Sequence, residues 1–115
     1  MITLICPVKR RHPLTPEEFH RHWRDVHARL IADTPALARH LLSYTQHPAA
    51  ASEYLDGREP EWDGVAIAQY SSRKDMDALF AEPEYHTLLR PDEEYLTDPA
   101  AVRWILCENI HHVLV

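Results

Sequence analysis

Histidines are the residues of this sequence best suited to chemistry, because histidine changes charge between pH 5 and 8 and can therefore move protons. The chain has nine, and four lie in the run "HPLTPEEFHRHWRDVH", which spans His12 to His27. At about 100° per residue on a helix, His27 falls in an apolar stripe with Trp23, and His20 lies at its margin. His12 and His22 should be solvated. His27 is then either a hydrogen-bonded core group or a general base.

Other side chains could complete such a site. Tyr44 and Tyr70 lie in apolar runs typical of strands, and a phenol on a sheet can donate a hydrogen bond to a substrate carbonyl as negative charge develops there. His40 and His86 could line the same cleft.

The elements that position these residues can be read from the pattern. Residues 2–8 form a short β-branched run typical of a buried strand. The first helix should begin at Thr15, with Pro16 at its first position and Glu18 closing a capping box, and should end at 33–35 because a proline disfavours helical geometry in the residue before it.

The remaining elements complete one fold. The pattern predicts strands over 41–46 and 65–70, a long polar connection between them, and a helix that begins after Ser71 or Ser72 and is limited by Pro83. One or two helical turns follow in "EYHTLLRPDEEYL", and a long alternating strand runs over 104–115. This order predicts an α+β class and a ferredoxin-like βαββαβ fold with a four-stranded antiparallel sheet, as a single domain over residues 1–115.

Composition argues against several classes of partner. The net charge of −6 disfavours binding to nucleic acid or an anionic membrane, and the short cluster Lys9-Arg10-Arg11 is expected to be a solvated turn. No apolar run approaches the ~18 residues that span a bilayer, and the amino terminus lacks a secretory leader, so we expect a cytoplasmic protein. Cys6 and Cys107 are expected to be buried thiols.

Metal and nucleophile chemistry are also disfavoured. No histidine pair has the i, i+3 or i, i+4 spacing of a helical metal site, and His111 and His112 point to opposite faces of a strand. There is no glycine-framed serine, and with two glycines the chain cannot build a phosphate-binding loop. We therefore expect no metal site.

The predicted fold has a consequence for assembly. Two helices can cover only one face of a four-stranded sheet, which leaves the other face open. The sequence therefore predicts a homodimer through the sheet faces, with the final strand reaching the neighbour.

The chain resembles the EthD-like group of the dimeric α/β-barrel superfamily. The resemblance rests on "KRRHPLTPEEFHRHWRDVHARL", on the strand-to-helix step "YSSRKDMDALF", and on a glutamate, Glu108, in the final strand. It implies a dimeric barrel with a small-molecule cleft between helices and sheet. The family's helix histidine maps onto His27, and its aromatic partner onto Trp23.

Together these observations predict a cofactor-independent acid/base enzyme (an isomerase, dehydratase or cyclase) that acts on a hydrophobic cyclic or aromatic oxygenated molecule such as a lactone or polyketide. The predicted catalytic residues are His27, Tyr44 and Tyr70, and the predicted substrate-binding residues are Trp23, Phe19, Phe80, His20, His40 and His86. One alternative is an accessory protein that binds a hydrophobic intermediate without catalysis. Another is a monooxygenase, either free of cofactor or with heme on His86.

Overall fold

The computed structural model describes residues 1–114. The strands are β1 (Ile2–Val8), β2 (Ser43–Pro48), β3 (Gly64–Tyr70) and β4 (Ile105–Glu108). The helices are α1 (Pro16–His22), α2 (Ala28–Ala32), α3 (Pro35–Ala38), α4 (Arg73–Ala81) and α5 (Arg90–Leu96). Two π-helical turns (Trp23–His27, Tyr85–Leu89) and two 3-10 segments (Ala51–Gly57, Pro99–Ala101) complete this part of the chain. No helix within it has the length and apolar composition needed to cross a bilayer.

The four strands form one antiparallel sheet in the order β2-β3-β1-β4. With the helices inserted after β1 and β3, this is the predicted ferredoxin-like α+β fold. Tyr44 pairs with Ala68, which pairs with Leu4, so all three lie on one face of the sheet. Tyr70 lies on the same face because it is two residues beyond Ala68. The helices pack on this face, as the buried cluster around Leu4 and Ala68 shows.

The first helix begins where the sequence predicts. Glu18 N–H donates to Thr15 Oγ1 (3.1 Å) and Thr15 N–H donates to Glu18 Oε1 (3.0 Å), which closes the capping box. Helical backbone then continues to Ala32, and Asp33 ends it. The predicted bounds of this helix are therefore confirmed.

The middle of this helix is a π turn, which the sequence pattern does not predict. The N–H of Ala28 donates to Trp23 O, five residues back, so one extra residue is wound into the turn. This rotates the following residues by roughly one position. Ile31 is consequently buried in line with Trp23 and His27, whereas Val26 is exposed.

The second helical region is longer than predicted. The Ser72 hydroxyl accepts from Asp75 N–H, and α4 ends before Pro83, as expected. However, "EYHTLLRPDEEYL" forms a π turn continued by α5 as far as Leu96, rather than one or two turns. The N–H of Arg90 donates to Tyr85 O, which is again an i to i−5 bond.

The last strand is shorter than predicted. β4 covers only Ile105–Glu108, and Asn109 adopts a left-handed conformation (φ 57°), which breaks the extended backbone. Residues 110–114 are not in the sheet, so the prediction of a strand over 104–115 was wrong there. Its last residue, Val115, lies outside the described residues.

The basic cluster after β1 is not a solvated turn. Arg10 donates from its backbone N to Asp63 Oδ2 (2.8 Å) and from Nη1 to Asp63 Oδ1 (2.7 Å), and it also pairs with Glu59. Lys9 Nζ lies 2.6 Å from Glu59 Oε2. The Asp63 side chain is fully buried, and the connection between β2 and β3 is tied to the end of β1 through it.

The opposite face of the sheet carries the alternate residues of each strand. Ile5 pairs with Ile67 and Ile105 across three neighbouring strands, which gives this face an apolar centre. Ile105 remains 56% exposed.

Candidate functional site

A cavity of about 120 Å³ lies between the helices and the covered face of the sheet. Its walls are mostly apolar. A few lining residues have acidic, basic, hydroxyl or thiol groups that could take part in chemistry: His27, Glu93, Thr97, Cys6, Tyr44, Tyr70 and Tyr85. We call this space the inner cavity.

His27 is held in the inner cavity wall by a carboxylate. Its Nδ1 lies 2.7 Å from Asp92 Oδ2, and its side chain is 9% exposed. A carboxylate only accepts hydrogen bonds, so this contact assigns the proton of a neutral His27 to Nδ1. Nε2 is then the ring nitrogen left with a lone pair for a ligand.

Asp92 is shared between two histidines. Its Oδ1 lies 2.6 Å from His22 Nε2, while its Oδ2 binds His27. Burial raises the pKa of Asp92, but the hydrogen bonds from His27 and His22 outweigh this, and the net pKa lies below its usual value. Asp92 is therefore an anion that orients both rings. The His22 side chain, which was predicted to be solvated, is only 26% exposed and belongs to the cluster of His22, His27 and Asp92.

Glu93, the residue after Asp92, faces the inner cavity. Its Oε1 is buried and has no hydrogen-bond partner among residues 1–114. Burial raises the pKa of Glu93, although the nearby Tyr85 hydroxyl and His27 act in the opposite direction. The neutral carboxylic acid, which can donate a proton, is favoured by this environment.

The phenols and the thiol of the cavity are kept neutral. Burial raises the pKa of Tyr44 to about 12 and that of Cys6 to about 11, and it also raises the pKa of Tyr70. Gln46 Nε2 donates to the Tyr44 hydroxyl (3.3 Å) and to Trp23 O (3.0 Å), which connects β2 to the π turn. Tyr44 and Tyr70 can thus serve as hydrogen-bond donors to a bound oxygen but not as bases at neutral pH.

Two of the three aromatic residues predicted to bind substrate reach the cavity. Trp23 and Phe80 line it from the helix side. Phe19 is fully buried behind Trp23, with ring centroids 5.4 Å apart, and supports that wall without lining it.

The other predicted histidines lie outside the lining of the inner cavity. His20 Nε2 is 3.0 Å from the Tyr54 hydroxyl, which itself donates to Asp63, and burial lowers the pKa of His20. His40 lies 3.2 Å from Glu82. His86 packs edge-on against Tyr85, with ring centroids 5.2 Å apart. Their assignment as substrate-binding residues stays a prediction that the inner cavity does not support.

Sequence reasoning missed Asp92, Glu93 and the place of His22. The acidic triplet within "RPDEEYL" is typical of a solvated helix face, and only the packing of α5 against the first helix turns two of these carboxylates inward. In the described residues, no group of three or more His, Cys, Asp or Glu side chains is arranged to hold a metal ion.

The sheet order, the helices on one face and the cavity between them define a ferredoxin-like domain with an internal cavity. The chain belongs to the EthD domain family, whose model matches residues 11–100. No curated protein sequence matches it.

Solved structures share the fold at low sequence identity. An ethyl tert-butyl ether D (EthD) family protein from Bacillus halodurans C-125 is 15% identical, with a TM-score of 0.69 over 96% of this chain and 99% of that chain. A dimeric protein of unknown function with a ferredoxin-like fold from Bacteroides fragilis NCTC 9343 is 14% identical, with a TM-score of 0.66 over 94% and 95%. A putative antibiotic biosynthesis monooxygenase from Nitrosomonas europaea is 17% identical, with a TM-score of 0.60 over 96% and 100%.

Proposed function

We propose that this protein is a cofactor-independent acid/base enzyme that moves a proton next to a carbonyl group in a hydrophobic, cyclic or aromatic, oxygenated small molecule. The observation that carries this proposal is the His27 ring, which Asp92 holds at Nδ1 (2.7 Å) while the ring lines an apolar cavity. The outcome would be isomerisation, dehydration or ring closure.

His27 is the proton acceptor in this scheme. Its Nε2 takes a proton from the carbon next to the carbonyl, and the bonding electrons move toward the carbonyl oxygen to form an enolate. Asp92 stabilises the imidazolium that results, because the anion lies within hydrogen-bond distance of Nδ1. Such a positioned base typically contributes about 100- to 10,000-fold to a rate.

Glu93 is the proton donor. In its protonated form, which burial favours, it donates to the enolate oxygen, or to a hydroxyl group that leaves as water in a dehydration. Its buried Oε1, unpartnered among residues 1–114, is the group that a bound substrate would satisfy. In an isomerisation, the imidazolium of His27 returns its proton to a different carbon, and the enol returns its oxygen-bound proton to Glu93 as the carbonyl re-forms.

Tyr44 and Tyr70 bind and orient the substrate from the sheet side. Both line the inner cavity, and the raised pKa values of their hydroxyls keep them as donors. Trp23 and Phe80 shape the apolar walls. His20, His40 and His86 have no part in this chemistry.

We further propose that the active form is a homodimer through the open sheet faces. The apolar row Ile5, Ile67 and Ile105 on that face supports this, as does the related fold from Bacteroides fragilis, which is described as dimeric. The order βαββαβ leaves this face to a partner.

Two other functions would give different experimental results. An accessory protein would use the same cavity for binding, without turnover. A monooxygenase is favoured by the fold shared with the putative antibiotic biosynthesis monooxygenase and would consume oxygen.

Thermal unfolding of the wild type and His27→Gln, scanned against lactones, phenolic polyketide fragments and heme, separates these functions. A ligand that binds only the folded state raises the midpoint. We expect a lactone or phenolic fragment to stabilise the wild type and to be converted by it but not by His27→Gln. Stabilisation by heme with a Soret band, oxygen consumption, or equal turnover by both proteins would overturn the proposal.

A further inference from the structure

A second cavity, of about 410 Å³, adjoins the inner cavity between β1, α5 and the segment 97–104. We call it the vestibule. Both cavities are lined by the same five residues at their junction, which we call the neck: Cys6, Val8, Tyr85, Glu93 and Thr97. A ligand longer than the inner cavity would therefore pass Glu93 and leave one end in the vestibule.

The vestibule carries four cations, two of which are neutralised. Lys9 lies 2.6 Å from Glu59, and Arg90 Nε lies 3.3 Å from Glu94 Oε1. Both contacts are ion pairs, so these two side chains offer little net charge to a ligand.

The other two cations have no carboxylate within ion-pair distance among residues 1–114. Arg11 Nη1 donates to the backbone oxygen of Glu94 (2.8 Å), and Arg103 Nη1 donates to the backbone oxygen of Val102 (2.7 Å). A carbonyl orients a guanidinium but does not cancel its charge. Each arginine keeps further N–H groups in the planar fork that suits a carboxylate.

Among residues 1–114, none of the acidic residues of the vestibule is ion-paired with Arg11 or Arg103. Glu94 is paired with Arg90, and Asp98 accepts from Ala100 N–H (2.9 Å) at the start of the 3-10 segment, which orients this carboxylate but leaves its charge. Burial raises the pKa of Glu93 at the neck, which makes its charged form less favourable there. In a chain of net charge −6, the vestibule therefore holds two arginines that have no ion-pair partner among residues 1–114, next to an apolar cavity.

We propose that the ligand of this site is an amphipathic carboxylate, whose apolar, carbonyl-bearing body fills the inner cavity and whose carboxylate is bound in the vestibule by Arg11 and Arg103. Only the carbonyl-bearing body of this ligand rests on the proposed function. The carboxylate end is argued from the vestibule alone. The bound anion would also disfavour ionisation of Glu93 at the neck, and would thus help to keep that group a proton donor.

The test uses 4-(2-naphthyl)-4-oxobutanoate and its primary amide, which share an aryl ketone and differ in charge. Isothermal titration calorimetry measures the affinity of the wild type for each. We expect the acid to bind about tenfold more tightly than the amide, since two charge-assisted contacts at a partly exposed site are involved. This preference should shrink as salt is raised from about 0.02 to 0.5 M.

Substitutions test whether Arg11 and Arg103 cause the preference for the acid. Arg11→Gln combined with Arg103→Gln should abolish the preference for the acid. Arg58→Gln is the matched control, because Arg58 also donates to the backbone oxygens of Leu55 and Ser52 and does not line the vestibule. It should retain the preference.

Deuterium exchange at the ketone's C3 position, followed on the same samples in D2O, keeps the two proposals apart. An amide that binds as tightly as the acid, or a preference for the acid that survives the double variant, overturns the carboxylate site, whatever the exchange shows. A preference for the acid that the double variant abolishes supports that site even if no exchange occurs, and the missing exchange then counts against the acid/base function alone. Failure of the acid to bind at millimolar concentration overturns the carboxylate site.

Discussion

His22 and His27 lie five positions apart on one helix and bind the two oxygens of a single carboxylate, at 2.6 and 2.7 Å. On a regular α-helix two residues at this spacing point roughly 140° apart, since each residue advances about 100°. The π turn between them removes that divergence. Because such turns occur often at functional sites, its position between these histidines agrees with an arrangement built for His27.

Asp92 should be essential for the reaction. Asp92→Asn keeps the size of the side chain but removes the anion that stabilises imidazolium, so kcat/KM should fall about 100- to 10,000-fold. Steady-state kinetics on the substrate found by thermal scanning measure this. Asp33→Asn, which removes an exposed carboxylate from an ion pair with Arg29, should change nothing. Equal kinetics of the two variants would contradict the role of Asp92.

His22 should act as a positioning residue. His22→Asn removes one of the two hydrogen bonds that hold the pKa of Asp92 below its usual value against burial, so that pKa should rise. NMR titration of the Asp92 carboxyl should show this pKa at a higher value than in the wild type, and the maximal rate should fall about tenfold, as for the loss of one charged hydrogen bond. A lower rate with an unmoved Asp92 pKa would mean that His22 has only a structural role.

Glu93 should make the folded protein less stable as pH rises. Its pKa is raised in the folded state, so its contribution is most favourable below about pH 4, the unfolded pKa, and is lost as pH increases through the folded pKa. Glu93→Gln removes this cost. Urea unfolding should therefore show that the variant gains more stability relative to the wild type at pH 8 than at pH 4.5.

The exposed neighbour provides the control for this measurement. Glu94→Gln should show no such difference between the two pH values. A Glu93→Gln variant that is equally stabilised or destabilised at both would show that the carboxyl is not desolvated in the folded protein.

Gly64 should be required for Trp23 to pack in the wall of the inner cavity. A Cβ at position 64 would lie 2.8 Å from Trp23 Cζ3 and 2.8 Å from the backbone oxygen of His47, which is closer than real Cβ atoms approach. Gly64→Ala should therefore cost about 1–3 kcal/mol in chemical unfolding and weaken ligand binding. At Gly57 a Cβ meets no atom within 4 Å, so Gly57→Ala should lose stability through its positive φ but bind ligand normally.

The fold could be predicted from the sequence because each element had its own local signal. The capping box of Thr15 and Glu18, the Ser72 cap and the β-branched strands are local features, and they place Tyr44, Tyr70 and His27 on the covered side of the sheet. The predicted final strand was too long because the alternation of side chains in "WILCENIHHVLV" continues past Asn109, where the backbone turns.

The site was predicted in part, for a different reason. Periodicity placed His27 and Trp23 in the cavity wall, but it assumed 3.6 residues per turn throughout. The π turn, which this assumption misses, is what directs His22 to the same carboxylate as His27. No pattern within "RPDEEYL" distinguishes Asp92 and Glu93 from the exposed Glu94.

The measurement that tests the central claim most directly is proton exchange between solvent and a bound carbonyl compound, followed by NMR in D2O. The wild type should incorporate deuterium at the carbon next to the carbonyl of a ligand identified by thermal scanning, and His27→Gln should bind that ligand but exchange about 100-fold or more slowly. Exchange at the same rate in both proteins would contradict His27 as the base.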